Sequence, residues 1–563
     1  MQGKKRSIVE KSYRKRASTP RYVSPNQLLL SGFETPFDQQ LNKNNRWVKL
    51  SHLIPWDKIV GQYDNQHQSK EGRPAICGRV VLGALIIKHI LNLTDRETIM
   101  QIEENMFMQY FLGYSSFTNE SPFSATLFVE IRKRLDLSII NSISEIVVTH
   151  QKEIEEKSVK RKEEKDDKNK DAIITESKPE ELTTDTSTNA GRIIMDATVA
   201  PQNITFPTDL KLLNAAREKS EELIDKLHNK KVHGEKKVRT YRNLARKDFL
   251  NAIKKKTKSF KEIYKWNGSQ IRYLRRNLAH IQLLLKGYQT KELNHKLREK
   301  DVIYLQTLQT VYEQQETMHR TQTRSIENRI VNLHQPHVRP IKRGKAGKKT
   351  EFGSKLQVSL INGFTFLDKL SWDNFNEGTE LQSSVEQFKT RCGHYPKEVL
   401  ADQIYCNRAN RKWLKERGIK LSAKPLGRPT KEALSNQVSP GERNPIEGKF
   451  GQAKVGYGLD NIKAKLKETS ESWIATIILV LNLVNLTRLV ALCNKLIEKI
   501  IEMFFYKLKI VRLSLGADSK YSAYSNTHTV DNPHKLYQRW QCRVVLGQGL
   551  LKMCGRWLHL RYA

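Results

Sequence analysis

Residues 351–372 read EFGSKLQVSLINGFTFLDKLSW, and this stretch decides the fold class. β-Branched and aromatic residues flank the dipeptide Asn362-Gly363, which favours a two-residue turn between two antiparallel strands. Further short strand patterns lie at 193–195, just before Asp402 and at 419–423, with helical patterns between them. Strands that alternate with helices predict an α/β core.

The segment 46–151 predicts an all-α domain ahead of that core. Its apolar residues recur at helical spacing, and Thr94 and Glu97 form a Thr-x-x-Glu capping box at a helix start. A later amphipathic helix ends in basic residues that include Arg132 and Lys133. Several short helices with a basic end favour a DNA-binding domain, with a plain helical bundle as the alternative.

Composition divides the chain into further regions. One segment has almost no large apolar residues and is expected to be a solvated linker. Another is long, basic and helical, and its charged face is either simply solvated or in contact with DNA. The predicted regions are a basic arm (1–45), the helical domain (46–151), a charged linker (152–190), an α/β core (191–208 and 334–500), a helical insertion within that core (209–333), and a C-terminal tail without an assigned role (501–563).

The charge balance points to a polyanionic partner. Lysine and arginine total 98 against 60 acidic residues, a formal net charge of +38. Neutralising nucleic-acid phosphates releases condensed counterions, so nucleic acid is the expected partner, with a merely basic or ribosome-associated surface as the alternative. The six cysteines are irregularly spaced without a C-x-x-C pair, which argues against a zinc site and fits a reduced cytoplasmic compartment.

The most apolar run lies at 473–486 and contains Asn482 and Asn485. A run that short is typical of a buried core helix rather than of a membrane span. No membrane association is therefore expected.

Three acids stand out by their context. Asp196 and Asp402 each follow a short strand pattern, and Glu447 lies in a probable helix. Ligand sites in α/β folds form at the carboxyl ends of strands. Two divalent cations about 3.5–4 Å apart can clamp the attacking and leaving oxygens of a phosphodiester, and carboxylates suit Mg²⁺. Each Asp taken alone is more often a turn or cap residue.

Bases surround the third acid. On a regular helix Arg443, Glu447 and Lys454 share one face, because they are separated by four and seven residues. An acid for a metal and two bases for backbone phosphates would suit a strand-cleaving site. An ordinary surface ion pair of small net value explains the spacing equally well.

These residues resemble the DDE-type insertion-sequence transposases of bacteria that carry a Tyr-Arg-Glu-Lys signature. Arg443-x3-Glu447-x6-Lys454 matches its last three members, and Pro440 stands where the family has tyrosine. The segments around the first two acids, IIMDATVAPQNITFPTD and VLADQIYCNRANRKWLKERGI, also resemble the family. The resemblance covers about residues 45–495.

The resemblance implies a ribonuclease H-like core with Asp196, Asp402 and Glu447 as the catalytic, metal-binding triad. It further implies two Mg²⁺ ions, with Mn²⁺ as a substitute. A metal-activated water would cut at the transposon end, and the freed 3′-hydroxyl would attack target DNA. The implied partners are double-stranded DNA, as terminal inverted repeats and target, and a second copy in a homodimeric synapse. The expected location is the bacterial cytoplasm, in association with the nucleoid.

Candidate DNA contacts follow from the resemblance and from the charge pattern. Arg443 and Lys454 are implied as DNA-positioning residues. The basic loop that contains GKAGKKT lacks the glycine and the Ser or Thr of an ATP-binding phosphate loop, which favours a DNA contact instead. The further candidates are Lys342, Arg343 and Lys348 in and beside this loop, and Arg132 and Lys133 in the helical domain.

Two functional alternatives stay open at this point. One is a transposase-derived DNA-binding protein without catalysis, and the other is a metal-dependent DNA nuclease that cuts without joining. Nearby, His334 and His337 lie three residues apart without further ligands around them. A structural or DNA-contact role is expected for both, rather than metal binding.

Overall fold

The structure is a computed structural model that describes residues 41–65, 76–150, 153, 189–288, 297–342, 350–422 and 440–488. The C-terminal tail, most of the N-terminal arm and most of the charged linker lie outside these ranges. The chain forms two compact units. The larger contains Leu41 and the described residues of Trp56–Glu145 and Ser187–Asn482, and the smaller contains the remaining described residues.

The expected N-terminal helices are present. Helix α1 (Arg46–Leu53) lies in the smaller unit and buries Trp47, Val48 and Leu50. The following helices are α2 (Trp56–Asn65), α3 (Gly78–Ile90), α4 (Asp95–Glu104), α5 (Met106–Leu112), α6 (Leu127–Arg134) and α7 (Leu137–His150).

Helix α4 begins with the predicted capping box. The Thr94 hydroxyl accepts a hydrogen bond from the Glu97 amide, and the Glu97 carboxylate accepts one from the Thr94 amide. Two amides that have no partner within the helix are satisfied in this way.

A six-stranded mixed sheet forms the centre of the larger unit. Its strands are β1 (Arg192–Pro201), β2 (Arg339–Lys342), β3 (Thr350–Ile361), β4 (Phe364–Ser371), β5 (Glu398–Leu400) and β6 (Lys420–Ser422). Strand β3 pairs antiparallel with β1, β2 and β4, whereas β1 and β5, and β5 and β6, pair parallel. Strand β1 therefore joins the antiparallel part of the sheet to the parallel part.

The predicted hairpin is confirmed. Residues Ile361 and Phe364 pair across the turn, and Asn362 and Gly363 both have positive φ, at 50° and 81°. This conformation is the one that Asn-Gly adopts in tight hairpin turns. At the other end of β3, a Cβ on Gly353 would lie 2.1 Å from the Ala200 carbonyl oxygen, so only glycine fits between β1 and β3.

Strand β1 is longer than its sequence pattern indicates. The strand was expected to end at Asp196, but β1 continues to Pro201, so Asp196 lies near its middle. Residues beyond Asp196 keep pairing with β3, with Thr198 opposite Leu356 and Val199 opposite Lys355. Tertiary pairing thus outweighs the poor strand propensity of an aspartate.

The described residues between β1 and β2 contain the helices α8 (Asp209–Leu227), α9 (Lys230–His233), α10 (Arg242–Lys254), α11 (Phe260–Lys286) and α12 (Glu299–Thr321). Helices α8, α11 and α12 share a hydrophobic core that includes Leu213, Leu223, Leu274, Ile281, Leu308 and Val311. These helices form a bundle with its own buried interior.

The C-terminal part adds helices around the sheet: α13 (Leu381–Cys392), α14 (Arg408–Glu416), α15 (Asn444–Gly451) and α16 (Lys467–Arg488). Short 3₁₀ turns occupy 377–379, 403–405 and 440–443, and a π-helical turn spans 452–456. Gly418 follows α14 with a φ of 65°, as expected for a residue that closes a helix.

Among the described helices, α16 has the length and apolar composition that a membrane span requires. Its side chains pack inside the protein instead: Ile474, Ile477 and Val480 are fully buried. Asn482 accepts a hydrogen bond from the Thr365 amide and donates one to the Thr365 carbonyl. These contacts agree with the predicted core helix.

Candidate active site

Two of the predicted acids lie side by side. Strands β1 and β5 pair in parallel with Ile194 opposite Leu400, and Asp196 and Asp402 each follow that pair by two residues. Asp402 lies just beyond the end of β5, where its carboxylate accepts a hydrogen bond from the Gln403 amide and caps a 3₁₀ turn. The parallel register thus brings two acids that are distant in sequence to one place on the sheet.

Arg443 bridges the two carboxylates. Its Nη2 lies 3.4 Å from Asp196 Oδ2, and its Nη1 lies 3.1 Å from Asp402 Oδ1. The side chain of Arg443 is 22% exposed, that of Asp196 18% and that of Asp402 55%. A guanidinium with a donor toward each acid therefore supplies positive charge between the two carboxylates.

The environment of Asp196 favours its protonated form. Burial raises the pKa of Asp196 to about 6, and the negative charges of Glu377 and Asp402 act in the same direction. A hydrogen bond from the Ala197 amide and the charge of Arg443 oppose this shift. The charged form of a carboxylate with these neighbours is stabilised by a nearby cation.

Glu377 is a neighbour that the sequence did not single out as a site residue. It lies in the 3₁₀ turn at 377–379 and forms an ion pair with Lys355 at 2.9 Å. The Nδ2 of buried Asn410 donates to the carbonyls of both Gly378 and Tyr405, and so ties this turn to the one that follows Asp402. No spacing rule in the sequence marked this acid.

Helix α15 is anchored to the strands that carry the site. Its Ile446 is fully buried against Ile194 of β1, Leu360 of β3 and Leu400 of β5. The next residue, Glu447, lies on the exposed side of the helix. Within the described ranges, no three Asp, Glu, His or Cys side chains form a group that could hold a metal ion, so Glu447 does not complete such a group with the two aspartates here.

The segment around Glu447 is helical but not one regular helix. Arg443 lies in a 3₁₀ turn, Glu447 in α15 and Lys454 in a π-helical turn. The three helix types differ in residues per turn, so the expectation of one continuous α-helical face is wrong. Arg443 turns toward the two aspartates, and Lys454 is half-buried in the π turn.

A second link holds the same segment to the sheet. Arg192, the first residue of β1, lies 3.3 Å from the carboxylate of Glu442 and 3.6 Å from that of Glu398 on β5. Adjacent residues 442 and 443 thus both form ion pairs with residues of β1, and residue 443 also pairs with Asp402 after β5. The turn that presents Arg443 is fixed from two sides.

Arg132 has a structural role, which corrects the expectation of a DNA contact. It is buried and forms a bidentate pair with Asp95, at 2.9 and 2.8 Å, while its guanidinium lies over the Trp473 ring. Buried Lys88 also pairs with Asp95, at 3.1 Å, and burial lowers the pKa of Lys88 to about 8. A guanidinium held in this way cannot reach a DNA backbone.

The other predicted DNA contacts lie in different places. Lys133 is exposed and pairs with Glu130 at 3.0 Å, one helical turn earlier. Lys342 is exposed at the end of β2. Arg343 and Lys348 lie outside the described residues.

The two histidines behave as structural residues. His337 packs edge to face against Trp372, with ring centroids 4.4 Å apart, and burial lowers its pKa to about 4. The Nδ1 of exposed His334 lies 2.8 Å from the Tyr304 hydroxyl. Neither belongs to a group of possible metal ligands in the described part of the chain.

Two family models match separate parts of the chain. The model described as "Transposase DDE domain" matches residues 399–484, which include Asp402, Arg443 and Glu447. The model described as "Transposase domain (DUF772)" matches residues 35–134. The matches support an insertion-sequence transposase of the DDE type. Asp196 lies outside both matched segments.

One curated relative is similar to part of the chain. It is "Uncharacterized protein ORF8 in nfe locus" of Rhizobium meliloti, 25% identical over 221 residues. The similar region covers 39% of this chain and 89% of the relative. No solved structure matches the chain significantly.

Proposed function

We propose that this protein is a DNA transposase that cuts at the ends of its element and joins the freed 3′-hydroxyl to target DNA. One observation carries the proposal: Asp196 and Asp402 lie side by side on β1 and after β5, with the cationic group of Arg443 between them. The transposase-like segments of the chain make phosphodiester chemistry the natural use of such a pair.

The sheet supports a ribonuclease H-like core. An antiparallel arrangement of β4, β3 and β1 continues into the parallel strands β5 and β6. Both acids lie where β1 and β5 are neighbours, next to the helix that carries Glu447. The helical bundle between β1 and β2 is then an insertion into this core.

The acidic pair suits a divalent cation. It already accommodates the positive charge of Arg443, and carboxylate oxygens are the ligands that Mg²⁺ and Mn²⁺ prefer. Asp196 and Asp402 would hold an ion, and Glu447, which does not group with them in this structure, would supply a third carboxylate. When bound, such ions make a water nucleophilic and offset charge on the scissile phosphate.

The protein's own groups position the DNA and set the local field. Burial of Asp196 lowers the effective dielectric around its carboxylate, which strengthens the attraction of the charged form for cations. Asp402 is more than half exposed, so solvent and an incoming duplex can reach its carboxylate. Arg443, Lys454 and Lys342 would then hold backbone phosphates of transposon ends and target, within a homodimeric synapse.

A strand-transfer assay tests the proposal. A labelled duplex with the inverted repeat that flanks the coding region is incubated with Mg²⁺ and a target plasmid. Wild type should give cut and joined products. Asp196→Asn and Asp402→Asn should each lose both products by at least about a hundredfold, as expected when a group central to transition-state electrostatics is removed.

Glu416→Gln is the matched control, since this exposed acid lies at the end of α14, outside the pair. It should leave both products unchanged. Cut product without joined product would instead identify a nuclease, and specific DNA binding without either product would identify a regulator. Cleavage that survives Asp402→Asn would refute the assigned site.

A further inference from the structure

The helical bundle has one strongly basic edge. Residues 229–265 contain fourteen lysines and arginines and three acids. Many of these bases are exposed on α10, on the connection to α11 and on the first turns of α11. We name as the basic edge the exposed residues Arg246, Lys247, Lys254, Lys256, Lys258, Lys261 and Lys265.

Other bases of the bundle are neutralised by ion pairs, unlike those of the basic edge. Lys237 and Arg242 both pair with Asp225, at 2.6 and 2.9 Å, and Lys255 pairs with Glu262. None of the seven residues of the basic edge has a carboxylate within ion-pair distance in the described part of the chain. Their charges are therefore available to an external anion.

The bases of α11 follow one line. Lys261, Lys265 and Arg272 are separated by four and seven residues on a 27-residue α-helix, so they project from one side. Helical rise separates the first from the last by roughly 16 Å, close to half the length of one turn of B-form DNA. The spacing suits successive phosphates along a duplex.

Helix α10 is fixed against α11, so both contribute to one surface. The side-chain amide of buried Gln270 donates to the Ala245 carbonyl at 3.2 Å, and the Tyr273 hydroxyl donates to Asp248 at 3.1 Å. These two hydrogen bonds place the bases of α10 beside the α11 line.

We infer that the basic edge binds the sugar-phosphate backbone of double-stranded DNA, as a contact surface separate from the acidic pair. The inference rests on the proposed function for the identity of the polyanion. Phosphate contacts position a duplex without reading its sequence. The bundle thus adds affinity and orientation to DNA that is cut elsewhere on the protein.

Self-association is the competing use of this edge. Phe260 and Leu244 are 48% and 51% exposed, and apolar side chains of this kind suit a protein partner. Pairing two copies of the same edge would, however, bring unneutralised like charges together, which is unfavourable. Charge complementarity favours DNA.

The test compares two double charge reversals in the full-length protein. Lys258→Glu/Lys261→Glu alters the basic edge, and Lys286→Glu/Lys300→Glu makes the same charge change at the other end of α11 and at the start of α12. That end is distant because α11 is about 40 Å long. Helix α12 runs back along it, with His319 stacked on Tyr264 near the start of α11.

Affinity for a labelled duplex is measured by fluorescence anisotropy over a range of salt concentrations. The basic-edge variant should bind about tenfold or more weakly, and its salt slope should fall by about two, because two phosphate contacts are lost. The loss should be equal for duplexes with and without the terminal repeat. The control variant should bind within about twofold of wild type.

Equal affinities for the two variants would overturn the inference. The inference would also be overturned if the basic-edge variant kept its affinity but had a smaller mass by light scattering. That result would make the edge a protein interface. Wild type that binds DNA through this edge but neither cuts nor joins it would refute the proposed function and leave the surface supported.

Discussion

Arg443 donates from Nη1 to Oδ1 of Asp402 across 3.1 Å, from a 3₁₀ turn to an acid that caps another. The same guanidinium reaches Asp196, so one side chain serves both carboxylates. A divalent cation bound to this pair would therefore compete with Arg443 for the two carboxylates.

Replacement of Arg443 should separate metal binding from catalysis. In Arg443→Gln the competing charge is gone, so Mn²⁺ should bind about tenfold more tightly, a change worth about 1.4 kcal/mol. DNA cutting should nevertheless fall, because the variant lacks a base that we propose to hold a backbone phosphate. Mn²⁺ affinity is measured by electron paramagnetic resonance without DNA. Arg408→Gln, an exposed residue of α14, is the control, and weaker Mn²⁺ binding in Arg443→Gln would contradict this competition.

Glu447 and Glu377 are rival third carboxylates, and substitution distinguishes them. Glu447 is the acid that the signature indicates, whereas Glu377 acts on the pKa of Asp196 and pairs with Lys355. We expect Glu447→Gln to reduce cutting by at least about a hundredfold and Glu377→Gln to reduce it by less than tenfold. Product formation on gels measures both. The reverse order would make Glu377 the third acid of the site.

Most of the sheet could be predicted from sequence because its signals are local. The Asn362-Gly363 turn has a specific backbone requirement, and the strand patterns before Asp402 and after Gly418 are short and bounded. The length of β1 could not be predicted, since its second half is held by pairing with β3 rather than by its own composition. Local propensity carries no information about a partner strand so far along the chain.

The candidate site was only partly predictable. Strand-end context selected Asp196 and Asp402, and motif spacing selected Arg443, Glu447 and Lys454. The structure brings Asp196, Asp402 and Arg443 together. The sequence could not show that Arg443 faces the acids, because the change from 3₁₀ to α to π geometry is set by packing. The burial of Arg132 could not be predicted from the sequence either, because its partner Asp95 lies in a different helix.

Asp95 should be a major stabilising residue of the helical region. Its carboxylate neutralises Lys88 and Arg132, whose side chains are 1% and 5% exposed. Asp95→Asn leaves both buried cations without a counter-charge, which should cost about 3 kcal/mol of unfolding free energy. Urea denaturation measures the loss. Asp57→Asn in α2 is a surface comparison and should change stability by less than about 1 kcal/mol.

His337 should make the protein less stable in mild acid. Its pKa is lowered to about 4 in the folded protein, by burial and by nearby Arg339 and Lys467, with Glu468 opposing. An unfolded histidine has a pKa near 6.5, so the unfolded state binds more protons between these values and stability falls as the pH drops through this window.

The variant His337→Phe keeps a ring beside Trp372 and removes the titrating group. Its unfolding free energy should therefore fall less than that of wild type between pH 7 and about pH 5. Exposed His334→Phe is the matched control and should follow wild type. Identical pH profiles for wild type and His337→Phe would show that this histidine does not carry the effect.

The pairing of β1 sets an order of assembly during synthesis. Ile193 pairs with Ile361 and with Val399, so both neighbours of β1 emerge from the ribosome long after it does. The helical bundle, whose core residues lie between Leu212 and Leu333, can fold in the interval. Asp196 therefore lies on an unpaired strand until the β3–β4 hairpin and β5 have been synthesised. The acidic pair cannot form before most of the chain has been translated.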